Sequence, residues 1–149
     1  MIANRILLRM RRWADVMYLS DEQLQQIEEY LVPTLNPYLI MLFGSAANGR
    51  LRADSDVDLA FLSDQEMQAY ELFMLSQQLA SLLGRDVHLL NLNQVPTVLQ
   101  AQVIDKGKVL LDREPNRRQE FFILVLKKYA RLNEERAPIL AKIKERGSH

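Results

Sequence analysis

Cysteine is absent from the 149-residue chain. No disulfide, thiolate nucleophile or Cys-ligated zinc can be built, and thiol-based redox control is excluded. An excess of either charge is missing too: Lys and Arg together number 19, as do Asp and Glu. A balanced chain exerts no general attraction on phosphate backbones, so nucleotide binding has to come from a local site and direct nucleic-acid binding is not expected. No apolar run reaches membrane-spanning length, and residues 1–19 alternate charged with apolar side chains instead of forming a signal-peptide block. The expected location is the cytoplasm, with no membrane association. Glycine and proline number only five each, and neither repeats nor low-complexity tracts occur.

What remains is 48% apolar and 26% charged, a composition that packs a core, at a length that suits a single domain. Residues 1–146 are read as that domain, with a core of about 24–111 and a helical extension of about 114–146. Gly147, Ser148 and His149 look like a tag remnant. Ile2, Ile6, Met10, Trp13 and Met17 recur at helical spacing. Ser20 and Gln23 make a capping box for a second helix, which Pro33 is expected to stop. Tyr38–Phe43, Asp56–Leu62 and Asp86–Leu92 read as strands. Between the last two, Ser63 and Glu66 are expected to cap a helix that ends at Gly84, its Met, Phe and Leu stripe packing into the core. A helix of about Pro96 to Asp105, a short edge strand Lys108–Leu111 and a long terminal helix kinked or broken at Pro138 complete the pattern. The fold class is α/β (α+β), a small mixed sheet of three to four strands flanked by helices.

Two short motifs sit at strand ends. Gly44 and Ser45 follow an apolar strand, where a glycine permits a sharp turn and lets backbone amides approach a phosphate. Asp56 and Asp58 alternate with Val57, so on a strand both carboxylates share one face while Val57, Leu59 and Phe61 share the other. Adjacent carboxylates repel unless a cation lies between them, and a hard divalent ion such as Mg²⁺ prefers oxygen ligands. Arg50 and Arg52 lie in the connecting loop, where they either clamp phosphates or are simply solvated, and Ser55 immediately precedes the aspartates.

Gly44-Ser45, ten intervening residues and Asp56-Val57-Asp58, each half on an apolar strand, resemble the signature of the nucleotidyltransferase superfamily related to DNA polymerase beta. The resemblance covers roughly Leu24 to Leu111 and is nearest the minimal nucleotidyltransferase (MNT) proteins. It implies the polymerase beta-like fold, ATP as co-substrate, a triphosphate on the Gly44-Ser45 turn, and Mg²⁺ held by Asp56 and Asp58. The segment from Val98 to Glu114 and the helix that follows resemble the MNT antitoxins paired with HEPN-domain ribonuclease toxins. That subfamily implies transfer of AMP from ATP to a tyrosine of a HEPN partner, which silences it.

The chain also departs from the family pattern. Asn48 stands where many MNT proteins carry arginine, and His88 where a third carboxylate is expected. Imidazole can take a proton near neutral pH but is a poor Mg²⁺ ligand, so His88 is a candidate base. Asp86, two residues earlier on the strand, is the alternative carboxylate. Two other functions fit the same residues. One is a binding module that masks its partner sterically; the other is nucleotide transfer to an antibiotic or similar small hydroxyl compound, disfavoured by the lack of a second substrate-binding domain. Phe121, Phe122 and Tyr129 are candidates for partner anchoring or for intramolecular packing, and Arg117, Arg118, Lys127 and Lys128 read as a solvated face.

Overall fold

The computed structural model describes residues 19–44 and 56–147. The expected helix through Ile2 and Met17 lies outside them, as do residues 45–55. In chain order the described elements are α1 (Asp21–Leu35), β1 (Pro37–Phe43), β2 (Val57–Ser63), α2 (Ala69–Leu83), β3 (Val87–Asn91), α3 (Thr97–Lys106), β4 (Lys108–Asp112) and α4 (Pro115–Gly147). The strands form one sheet in the order β3-β2-β1-β4. β1 is antiparallel to both β2 and β4, whereas β2 and β3 run parallel through the α2 crossover.

The central strand β1 is buried on both faces, which is why it reads as an unbroken apolar run. On one face Ile40 and Leu42 join Val57, Leu59 and Phe61 of β2 under the stripes of α1 and α2: Leu24, Ile27, Leu31 and Leu35, then Leu79 and Leu83. On the other, Leu39, Met41, Ala60 and Leu62 meet Val103 of α3, with Phe121 and Phe122 of α4 packed against them. The two phenylalanines are therefore used inside the molecule. Gln100 is buried among these groups, its Nε2 donating to the Leu92 carbonyl at 2.8 Å.

The capping box of α1 forms as expected, Gln23 N–H donating to Ser20 Oγ at 3.1 Å and Ser20 N–H to Gln23 Oε1 at 3.0 Å. Pro33 does not stop this helix, which continues to Leu35. The missing N–H lies in the last turn, so one hydrogen bond is lost, while running on buries Leu35, worth about 1.5–3 kcal/mol. Asn36, left-handed at φ 45°, closes the helix by donating to the Val32 carbonyl at 3.0 Å.

Ser63 does not cap α2. It ends β2, its hydroxyl donates to the Leu35 carbonyl and accepts from Gln65 N–H, and α2 begins only at Ala69. The Ser63 oxygen accepts from the chain two residues on, in a turn that precedes the helix, and so it does not reach the N-terminus of α2. Gly84 ends α2 in the left-handed conformation, as expected.

The apolar stripe of α2 is only half core. Leu79 and Leu83 are buried, but Tyr70, Phe73 and Met74 are exposed, because the sheet and α1 cover a single face of this helix. Pro138 does not break α4 either. The carbonyl it deprives of a partner, that of Glu134, lies in an exposed stretch where water can serve it. Among the described residues no helix is long and apolar enough to cross a membrane.

Candidate active site

β1 delivers the chain to Gly44, whose φ of 65° belongs to the left-handed region that favours glycine. The antiparallel register sets Phe43 opposite Asp58, so the Gly44 turn abuts that carboxylate, and a Cβ added at Gly44 would overlap Asp58 Oδ2. Asp58 lies on β2 with Asp56 just before the strand, while Val57, Leu59 and Phe61 are fully buried behind them. The parallel register of β2 and β3 then pairs Asp58 with His88. Paired residues project from the same face, so the imidazole stands between the carboxylates: Nδ1 is 3.6 Å from Asp58 Oδ1 and Nε2 is 3.4 Å from Asp56 Oδ2.

Burial of Asp58 pushes its carboxyl above the ordinary carboxylate range; nearby His88 opposes that shift and Asp56 adds to it. Among the described residues no lysine or arginine pairs with either aspartate. This donor set fits a hard divalent cation. No group of three or more carboxylate and imidazole side chains among the described residues is arranged to hold a metal, so an ion here would rest on Asp56 and Asp58, with water and phosphate oxygens as its other ligands.

Of the other sequence candidates, Asp86 precedes β3 and approaches the site through its backbone, its carbonyl accepting from Val57 N–H at 2.8 Å. Among the described residues its carboxylate makes no ion pair or hydrogen bond with Asp56, Asp58 or His88. His88 is the residue that falls in register with Asp58, while Asp86 lies one step before the paired residues, level with Asp56. Ser45, Arg50 and Ser55 lie outside the described residues.

A cavity of about 310 Å³ opens beside Gly44, lined by Phe43, Leu99, Gln102, Val103 and Lys106. Lys106, at the end of α3, had drawn no notice in the sequence; only the docking of α3 beside the Gly44 turn brings it there. A larger cavity, about 780 Å³, lies at the far end of β2 and carries Asp64, Glu66 and Glu71. That charge does not suit a polyphosphate.

The Gly44 turn and the two carboxylates thus stand at adjoining strand ends. The family described as polymerase beta, nucleotidyltransferase matches residues 25–116. The chain belongs to this nucleotidyltransferase family. It is 32% identical over 122 residues to the protein adenylyltransferase MntA of Shewanella oneidensis, spanning 82% of this chain and 86% of that relative. Among solved structures, a chain from a toxin-antitoxin crystal structure with AMP-PNP is similar with a TM-score of 0.74 and 31% identity, covering 81% of the nucleotidyltransferase and 98% of that chain. A chain from the complex of tri-AMPylated Shewanella oneidensis HEPN toxin with MNT antitoxin gives 0.70 and 29%, covering 82% and 96%.

Proposed function

We propose that this nucleotidyltransferase is an antitoxin that transfers AMP from ATP to a tyrosine hydroxyl of a HEPN toxin and thereby neutralises it. The observation that carries this reading is the convergence of Asp56, Asp58 and His88 beside the Gly44 turn. Likeness to MntA and to antitoxin-toxin complexes supports the protein substrate. One domain carries the activity, and the cytoplasm, where ATP is plentiful, is its place.

The triphosphate lies along the turn after β1, with Ser45 as a hydroxyl donor and Lys106 and Arg50 as cations for its oxygens. Asp56 and Asp58 would hold Mg²⁺, whose charge would neutralise phosphate oxygens as pyrophosphate departs. The tyrosine oxygen bonds to the α-phosphorus as the bond from that phosphorus to the α–β bridging oxygen breaks; pyrophosphate leaves with the electron pair. His88 takes the phenolic proton, and Asp56 and Asp58, 3.4 and 3.6 Å from its two ring nitrogens, are placed to pair with the imidazolium.

The test is incubation with α-labelled ATP, Mg²⁺ and the HEPN toxin. Label on the toxin from wild type, lost with Asp56→Asn or Asp58→Asn, is expected; folded wild type that leaves the toxin unlabelled would sink the reading. A double substitution that still neutralises the toxin at equal stoichiometry would mark steric masking instead.

A further inference from the structure

We infer that the edge of β3 left unpaired among the described residues, with the groove between it and α2, seats the acceptor segment of the protein substrate as an added strand, placing the acceptor tyrosine opposite His88. This rests on the protein adenylyltransferase reading and names how that site recognises its acceptor.

β3 pairs only with β2, so one of its edges is unpaired among the described residues. Val57 N–H donates to the Asp86 carbonyl at 2.8 Å, and Leu92 N–H to the Phe61 carbonyl at 3.0 Å. Backbone groups alternate in direction along a parallel strand, so residues 86, 88, 90 and 92 turn theirs toward β2. Val87, Leu89 and Asn91 therefore turn theirs outward. The Asn91 carbonyl is taken up locally by Gln94 N–H at 3.0 Å. Val87 and Leu89 remain, two residues apart, which is the repeat of an extended peptide.

Side chains alternate in the complementary way. Val87 and Leu89 project toward α2, where with Leu72, Phe73 and Ser76 they line a groove of about 410 Å³. No Asp, Glu, Lys or Arg lines it, and Phe73 stands 58% exposed at its wall. His88 projects to the opposite face, beside Asp56 and Asp58. In a strand added to this edge, the residue across from His88 shares its face, with Cβ atoms about 5 Å apart, and its two neighbours share the face of Val87 and Leu89. A tyrosine across from His88 presents its hydroxyl on the side of the carboxylates, while the residues before and after it fill the uncharged groove. The occupant is thus an extended segment of the partner, with uncharged, apolar residues flanking the acceptor tyrosine.

The experiment compares wild type with Phe73→Asp, an exposed substitution away from the reacting groups, using α-labelled ATP, Mg²⁺ and the HEPN toxin. The expected result is a KM for the toxin raised by roughly tenfold or more, with ATP binding unchanged. Unchanged KM for the toxin overturns the groove while leaving the transfer activity standing. Where wild type transfers no label, the activity itself has failed, and the groove is judged separately by placing photoreactive benzoylphenylalanine at position 73. A cross-link to a tyrosine-containing segment of the toxin supports the groove; no cross-link, or one to a second copy of this chain, overturns it.

Discussion

Asp56, Asp58 and His88 depend on different amounts of the fold, and this decides what each substitution should do. Asp58→Asn keeps the shape of a partly buried side chain and removes its charge, so the fold should persist while transfer falls on the order of 10²–10³-fold in single-turnover labelling. His88→Ala should cost roughly 10²-fold in single-turnover labelling, read beside wild type. Gly44→Ala combines an unfavourable left-handed backbone with overlap on Asp58 Oδ2. It should lower stability by about 1–2 kcal/mol in denaturant titration and also impair transfer by displacing that carboxylate. The two aspartates were legible in the sequence because they and their apolar strand are contiguous. The place of His88 beside them was not, since it depends on the register of two strands joined through a whole helix, and only pairing decides which residue lies opposite Asp58.

Among the elements, α4 is tied to the sheet end by Arg117, which pairs with Asp64 and lies 4.2 Å from the centre of the Tyr38 ring, and by Arg118, whose Nε donates to Asp112 Oδ2 at 2.7 Å. The hydrogen bond from Arg117 holds the Asp64 carboxyl below its ordinary range. A carboxylate with a depressed folded-state pKa contributes stability that is present above its unfolded value and lost as pH falls through the folded one. Asp64→Asn should therefore lower the melting temperature slightly at pH 7, the pair being exposed, and the gap to wild type should close in acid where Asp64 is protonated. Melting curves of both proteins across that range check it. Arg117 and Arg118 read as solvated from the sequence because Asp64, just past β2, and Asp112, the last residue of β4, are brought to them only by the fold. Local rules erred where tertiary packing competed with them. Burial of Leu35 carried α1 past Pro33, and an engaged Ser63 hydroxyl moved the start of α2 to Ala69. Where periodicity and end signals agreed, as at Ser20 for the start of α1 and Gly84 for the end of α2, the boundaries were readable.

For the molecule as a whole, the sheet and the four described helices close around two apolar layers, yet α4 runs on past both. Val125 is its last buried side chain, and residues 133–146 are exposed throughout. Ile139, Leu140 and Ile143, at one-turn spacing, are each about three-fifths exposed. Burying such a side chain is worth about 1.5–3 kcal/mol, a gain the isolated chain forgoes here and a partner would recover. Ending the chain after Leu132 should consequently leave the core intact, with a melting temperature within about 4 °C of the full chain, since a change under about 1 kcal/mol moves a domain this size by no more. The same truncation should weaken the complex with the HEPN toxin by roughly tenfold or more, as should Ile139→Asp with Ile143→Asp in the full chain. Titration calorimetry with the toxin and thermal melts of each protein alone separate these effects. Toxin affinity unchanged in both variants would show that the distal helix takes no part in the complex, and a collapsed melt in the truncation would show that it supports the core.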